Sequence, residues 1–383
     1  MKVAWRGAWG WVTLVLALCD AGIAPALAET GVTDKTIVLG QSAALSGPAA
    51  KLGANMNTGA RIYFDAVNAR GGIYGRKIEL RVRDDGYEAE RAKQNTIDLV
   101  QKEGVFALFG YVGTPTSIAA APIFTEARVP FFGAYSGATS LREPFNRYVF
   151  NIRASYADET ERIVDQLATT GFSQIAVFYQ DDAYGKAGLE GVSRALAQRQ
   201  MKIAALATVE RNSTDVAKAA ATLRAAEPNA IVQISAYASC AALIKELRAA
   251  GYGGQFVNVS FVGSQELADA LGPQGAGVMI TQVVPFPWSS VSPLQREYAQ
   301  ALKAAGVSNP DFGTMEGYIA ARVLVEGLRR AGRDLTREGL IAALETLHDY
   351  DLGGYTVNFT PDNHNGSRFV DINMIGTRGN FVK

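Results

Sequence analysis

Between Thr36 and Phe261 the sequence alternates short, almost wholly apolar runs with longer segments whose apolar residues recur every three or four positions. No other feature restricts the fold as much. "TIVLGQSAAL", "VFALFGY", "VPFFGAY", "QIAVFYQ" and "AIVQIS" have the length and composition of strands covered on both faces. Between the first two lies "ANMNTGARIYFDAVNARGG", where Ala60, Phe64 and Val67 share a helical face and Gly71 ends the helix. Strands buried on both faces belong to parallel sheets with helices above and below. Two such sets, divided near residue 157, predict an α/β fold of two doubly wound lobes with parallel sheets. The extended segments "QVVPFPWSS" (Gln282 to Ser290) and "YDLGGYTVNF" (Tyr350 to Phe359) suit a chain that crosses between lobes more than once. One lobe is expected from residues 29–156 with 282–355, the other from 157–281 with 356–383. Repeated crossings make a hinge that closes on a ligand.

A chain of 383 residues exceeds one typical core, which agrees with two lobes. Residues 1–28 read as a cleaved secretory leader: Lys2 and Arg6, the apolar "WVTLVLAL", then Ala26-Leu27-Ala28 before Glu29. Cys19 follows the bulky Leu18, which argues against lipidation. Cleavage removes Lys2, Arg6 and Asp20 from 37 basic and 37 acidic residues, leaving a net charge of −1. That balance argues against nucleic-acid or membrane-surface binding. Cys240 is then the remaining cysteine, so no intrachain disulfide is expected. The pairs Asp84–Asp85 and Asp181–Asp182 end strands just before turns, where aspartates cap and brace. No His or Cys cluster accompanies them, and "GKAGLEG" is not a dinucleotide-binding pattern. Neither metal nor cofactor is expected.

In open parallel sheets ligands sit beyond the carboxyl ends of the strands. The turns at Thr114, Thr139, Tyr184 and Ser260 follow strands in this way. In "GYVGTPTSIAAAP" Thr114 stands as a helix N-cap, Pro115 at the first helical position and Ser117 at the third. Free N–H groups and the helix dipole at such a terminus favour an anion. A competing pattern is "AYSGA", a loosened nucleophile elbow in which Ser136 would act with Asp311 or Asp349 and His364 as a serine hydrolase. Both elbow glycines are alanines here and His364 lies in the polar turn "PDNHNG", so no catalytic role is expected.

"LSGPAAKLG", "FDAVNARGGIYGRKIEL", "RDDGYEAERA", "FGYVGTPTS", "SGAT" and "DDAYGKAG" occur in the order seen in bacterial leucine/isoleucine/valine-binding proteins, and the chain resembles that family along its mature length. The resemblance implies a type I periplasmic solute-binding protein, its lobes joined by a three-crossover hinge. The ligand would be a small carboxylate or amino acid, the partner an ABC permease in the inner membrane, and the protein a periplasmic monomer. An extracytoplasmic sensor subunit would share the same fold and pocket. The resemblance further implies that Gly113 and Thr114 hold the ligand carboxylate. Gly137, Ala138 and Thr139 form the second turn of the site, where a backbone carbonyl and a hydroxyl contact the α-amino acid. Leu52 replaces a bulky aromatic wall, and Tyr184 and Tyr237 close from the other lobe. One position departs from the family. Ser260 stands where those receptors carry a glutamate for the ligand ammonium, which leaves Glu316 as a candidate substitute. An unpartnered buried ammonium is costly, so a carboxylic acid is as well suited as leucine.

Overall fold

The computed structural model describes residues 1–5 and 29–382. Apart from its first five residues, the expected leader lies outside the described residues. Five parallel strands form the first sheet in the order β2-β1-β3-β4-β5: β1 Thr36–Ala43, β2 Lys77–Asp84, β3 Ala107–Phe109, β4 Phe131–Phe132 and β5 Val149–Phe150. Between them run α1 (Ala50–Ala69), α2 (Ala89–Ile97) and α3 (Thr114–Glu126). The period of two along each strand sends side chains to both covered faces. Leu39, Phe109 and Phe132 join the main core with Phe64 of α1, whereas Val38, Leu108 and Phe131 pack with Ala120 and Phe124 of α3. Phe124 stacks on Phe131 at 4.5 Å between ring centroids. Burying each such ring contributes on the order of 1.5–3 kcal/mol.

The second sheet begins with β6 (Ile175–Gln180), β7 (Leu206–Val209), β8 (Ala230–Ile234), β9 (Gln255–Asn258) and β10 (Met279–Gln282), all parallel. Helices α4 (Tyr156–Thr169), α5 (Ala183–Gln198), α6 (Ala217–Ala226), α7 (Tyr237–Ala249) and α8 (Ser264–Leu271) connect and cover them. Ser155 and Asp158 fix the start of α4 with a capping box. Beyond α9 (Pro293–Ala304), α10 (Phe312–Ala331) and α11 (Arg337–Leu344), the strands β11 (Tyr350–Asp351) and β12 (Thr356–Val357) form a small hairpin. Finally β13 (Asp371–Ile375) and β14 (Phe381–Val382) add an antiparallel edge, giving the order β14-β13-β10-β9-β8-β6-β7. That edge departs from the all-parallel expectation, because strands of five and two residues joined by a turn carry little apolar signal.

The last three helices return to the first lobe, where α10 lies along α1. Two glycines allow the approach: a Cβ on Gly59 would sit 1.9 Å from the Thr314 carbonyl oxygen, and one on Gly317 2.2 Å from that of Met56. The chain passes between lobes at residues 151–155 and 283–292, and again after Gly366. Until that last passage it stays against the first lobe. The Gly366 N–H donates to the Asn151 carbonyl at 2.8 Å, and the His364 ring stacks 3.7 Å from Phe150.

Candidate functional site

Loops leaving the carboxyl ends of both sheets meet between the lobes. Tyr87 follows β2, Tyr135 follows β4, Tyr184 opens α5 after β6, and Phe261 follows β9. The Phe261 ring lies 5.8 Å from Tyr87, 5.5 Å from Tyr135 and 4.6 Å from Tyr184, so aromatic surfaces of both lobes converge on it. Around this centre the lobes are engaged. Asn55 Nδ2 donates to Glu266 at 2.8 Å, Arg211 pairs with Glu88 at 3.0 Å, and the Tyr237 hydroxyl reaches the backbone of Lys51. The lobes are thus in direct contact in this structure.

Thr114 opens α3, but it does not cap the helix with its side chain. Gly113 is the N-cap, with φ of 101°, a left-handed conformation that a threonine would adopt only with strain. A Cβ there would also fall 2.2 Å from Tyr87 Cε2. The expected register is therefore off by one residue. Released from capping, the Thr114 hydroxyl bonds the Ser136 hydroxyl at 2.7 Å, with both residues fully buried. The Thr116 and Ser117 hydroxyls are turned back onto the Gly113 carbonyl at 3.0 and 2.6 Å. Ser136 also accepts from the Ala138 N–H at 3.3 Å, which ties the second turn to the first.

Not every expected residue joins this group. Gly137 and Ala138 are buried beside it, but the Gly137 carbonyl accepts the Tyr156 N–H at 2.7 Å. Thr139 is partly exposed in a short 3-10 turn, its carbonyl accepting from Arg142 and Glu143. Leu52 is buried on α1 and faces the other lobe; a Cβ on Gly263 would come within 2.7 Å of it. Tyr237 is half-buried close to the same glycine. Tyr184 is fully buried, its hydroxyl without a hydrogen-bond partner, and burial raises its pKa well above the ordinary phenol value.

Ser260 is engaged within the protein. Its N–H and hydroxyl donate to the two oxygens of Glu159 at 2.8 and 3.0 Å, and Arg153 donates to its hydroxyl. Thr281 and Arg153 complete the shell of Glu159. Arg153 comes from the first passage between lobes and its side chain is fully buried. Its guanidinium lies 4.8 Å above the Tyr135 ring and 3.4 Å from both Glu159 and Glu316. Burial opposes its charge, but Glu316 and Glu159 outweigh that and hold the pKa above the ordinary arginine value. Glu316, in the second turn of α10, faces this cluster and not solvent, and burial pushes its carboxyl up to about 7 despite Arg153. A second buried carboxyl, Asp311, caps α10 through the Gly313 and Thr314 N–H groups at 2.7 and 3.1 Å. It shares Asn55 with Glu266; burial and that neighbour raise it to about 7.

The bonds of a Ser–His–Asp triad are not formed. The Ser136 hydroxyl is bonded to Thr114, while His364 meets the Val149 carbonyl at 3.1 Å and Glu345 at 3.2 Å. The paired aspartates do turn work: Asp84 accepts from the Leu45 and Gly86 N–H groups, Asp85 from Tyr87, and Asp182 from Tyr184 and Gly185. Sequence reasoning missed Tyr87, Ser136 as the partner of Thr114, Arg153, Glu159 and Phe261. For Arg153 a signal existed, a lone cation within "YVFNIRASY" at a lobe boundary. Glu159 carries no such signal, since acids are ordinary in the first turn of a helix.

The family described as periplasmic binding protein matches residues 36–376. A solved structure described as a possible leucine/isoleucine/valine-binding protein from Rhodopirellula baltica SH 1 is 36% identical, with a TM-score of 0.86 over 90% of this chain and 95% of that one. A fatty acid ABC transporter substrate-binding protein from Thermomonospora curvata is 26% identical, with a TM-score of 0.84 over 93% and 92% of the two chains. The Leu/Ile/Val-binding protein homolog 7 of Brucella abortus (strain 2308) is 25% identical over 374 residues, 92% of this chain and 91% of that one.

Proposed function

Because the chain belongs to the periplasmic binding protein family, we propose that it is the extracytoplasmic solute-binding component of an ABC importer. It traps a small carboxylate-bearing ligand, a hydrophobic amino acid such as a branched-chain one or a related organic acid, by closing its lobes. The ligand then passes to a permease in the inner membrane, and the receptor works as a monomer without catalysing a reaction. Family membership implies an extracytoplasmic location, and no helix among the described residues is long and apolar enough to cross a membrane.

One observation carries the reading: the buried Thr114–Ser136 hydroxyl pair at the start of a helix, on a lobe whose aromatic rings meet those of the other. Two hydroxyls that satisfy each other can both rotate to donate to an incoming carboxylate, and the helix dipole adds to the attraction. Closure excludes water, which strengthens each of those bonds. A ligand that touches both lobes binds the closed form better and shifts the hinge equilibrium towards it. The varied descriptions of the relatives, fatty acid for one and leucine, isoleucine or valine for others, support a shared carboxylate and leave the rest of the ligand open.

A thermal-shift panel tests the proposal. Mature protein, unfolded and refolded to strip any retained ligand, is heated with amino acids, carboxylic acids and their matched amides. At 100 times its Kd a true ligand stabilises by about 2.7 kcal/mol. At least one carboxylate is expected to raise the melting temperature and its amide to leave it unchanged. Stabilisation by amides as strong as by acids, or by no member of the panel, contradicts the proposal.

A further inference from the structure

One contact that joins the lobes brings two acids together. Asn55, on α1 of the first lobe, donates from a single nitrogen to Glu266 at 2.8 Å and to Asp311 at 3.0 Å. Asp311 caps α10 in the first lobe, and Glu266 lies in the first turn of α8 in the second. Two carboxyls from opposite lobes therefore sit against one amide. Asp311 is 7% exposed, and the second oxygen of Glu266 is buried without a hydrogen-bond partner. The amide supplies two hydrogens, one to each acid, and carries no charge to offset theirs. Their other neighbours do little more. The Gly313 and Thr314 N–H groups favour the Asp311 charge. Lys51 on α1 favours that of Glu266 but is exposed, and Asp269, one turn along α8, opposes it. Tyr135 and Tyr237 beside Glu266, and Tyr298 beside Asp311, are phenols and bring no positive charge.

Two carboxylates so placed repel each other across a contact that excludes water, and one bound proton removes the repulsion. When the lobes part, Glu266 leaves with α8 while Asn55 and Asp311 stay together, so the repulsion ends without a proton. The joined state thus holds a proton that the parted state gives up. Burial and Glu266 raise Asp311 to about 7, and burial raises Glu266 as well, which puts the change near neutrality. The contact between Arg211 and Glu88 differs, since it joins opposite charges and needs no proton.

We propose that Glu266 and Asp311 form a proton-dependent latch between the lobes: their contact takes up a proton, so the protein holds its ligand more tightly below neutrality and loosens its hold as pH rises. The inference rests on the reading that a ligand joins the lobes, and it assigns neither acid to the ligand itself. By linkage, proton and ligand promote each other's binding by the same factor.

Calorimetric titration of the refolded mature protein with leucine and with 4-methylpentanoate tests this, at pH 6, 7 and 8 and in buffers of unlike ionisation enthalpy. Whichever compound binds is expected to carry proton uptake with it near pH 7. Its affinity should fall by roughly fivefold or more from pH 6 to pH 8. Glu266→Gln keeps the acceptor for Asn55 but cannot ionise, so it should abolish the uptake and most of that fall. Affinity that stays level across the interval overturns the inference and leaves the carboxylate reading standing. So does a fall that survives Glu266→Gln and disappears in Glu316→Gln, which would belong to the Arg153 cluster. Proton release on binding, as when a ligand ammonium displaces the proton between the two acids, overturns it too. If neither compound binds, these probes speak against the carboxylate reading, and melting of the ligand-free protein decides the latch. There the parent should lose more melting temperature between pH 6 and pH 8 than Glu266→Gln, and equal losses overturn the inference. Should Glu266→Gln fail to fold, Asp311→Asn removes the charge from the other lobe and takes its place in each comparison.

Discussion

The Thr114 hydroxyl is bonded to Ser136 and not to its own helix, which separates its proposed part in binding from any part in capping. Thr114→Ala should therefore cost on the order of 1.5–3 kcal/mol in affinity for a carboxylate, a charge-assisted bond, but only about 1 kcal/mol in stability. Calorimetry and denaturant unfolding on the same variant check both halves, and unchanged affinity would remove Thr114 from the site. The buried carboxyls make a second prediction at this scale. Asp311 and Glu316 are both raised to about 7, chiefly by burial, and Asp85 to about 6. A carboxyl raised on folding holds its proton more tightly in the folded chain. Its stabilising effect is thus complete below the ordinary carboxylate range and is lost as pH rises towards 7. The melting temperature should fall between pH 5 and pH 7.5, and Asp311→Asn, which still caps α10, should flatten that slope. A melting temperature that rises over the same interval would contradict the assignment. That Thr114 stands at a helix start was legible because a hydroxyl, a proline and a glycine meet at a strand end. Ser260 was legible as an anomaly only, since its tie to Glu159 joins residues 101 positions apart.

Helices and strands were legible where apolar periodicity is strong, as in β1, α1, β6 and α4. Their ends were less so. The start of α3 moved one residue because the left-handed backbone at Gly113 outweighs threonine's preference for the cap. The β13–β14 edge is too short to show a period at all. Contacts between elements leave still fainter traces, and α1 against α10 is the clearest case. Nothing near Gly59 or Gly317 in the sequence says that two backbones touch there, yet each leaves room for less than one methyl group. Gly317→Ala should force the helices apart and destabilise the first lobe by roughly 1–3 kcal/mol, the usual cost of overpacking. A surface control, Gly253→Ala in the exposed loop before β9, where no atom lies within 4 Å of the added Cβ and φ is not positive, should cost less. Equal losses in the two variants would mean that the α1–α10 approach is not close.

At the scale of the molecule, three passages of chain and a ring of inter-lobe contacts fit the proposal that closure is the event ligand binding controls. The two lobes were legible from the alternation, but their engagement was not, since Asn55 with Glu266 and Arg211 with Glu88 join positions more than a hundred residues apart. Trp288 reports on that engagement. The other tryptophans, Trp5, Trp9 and Trp11, fall within the expected leader. Trp288 sits in the second passage, 5.3 Å from Phe312 at the start of α10 and 5.3 Å from Phe381 in β14 of the second sheet. Rotation of one lobe against the other must change at least one of those contacts. The most direct measurement is therefore Trp288 emission from refolded mature protein during titration with a carboxylic acid and with its amide. A saturable change with the acid, at the concentration where calorimetry shows binding, and no change with the amide is the predicted result. Emission that stays constant while the acid demonstrably binds, or that responds equally to the amide, would contradict a carboxylate trapped by closure of the lobes.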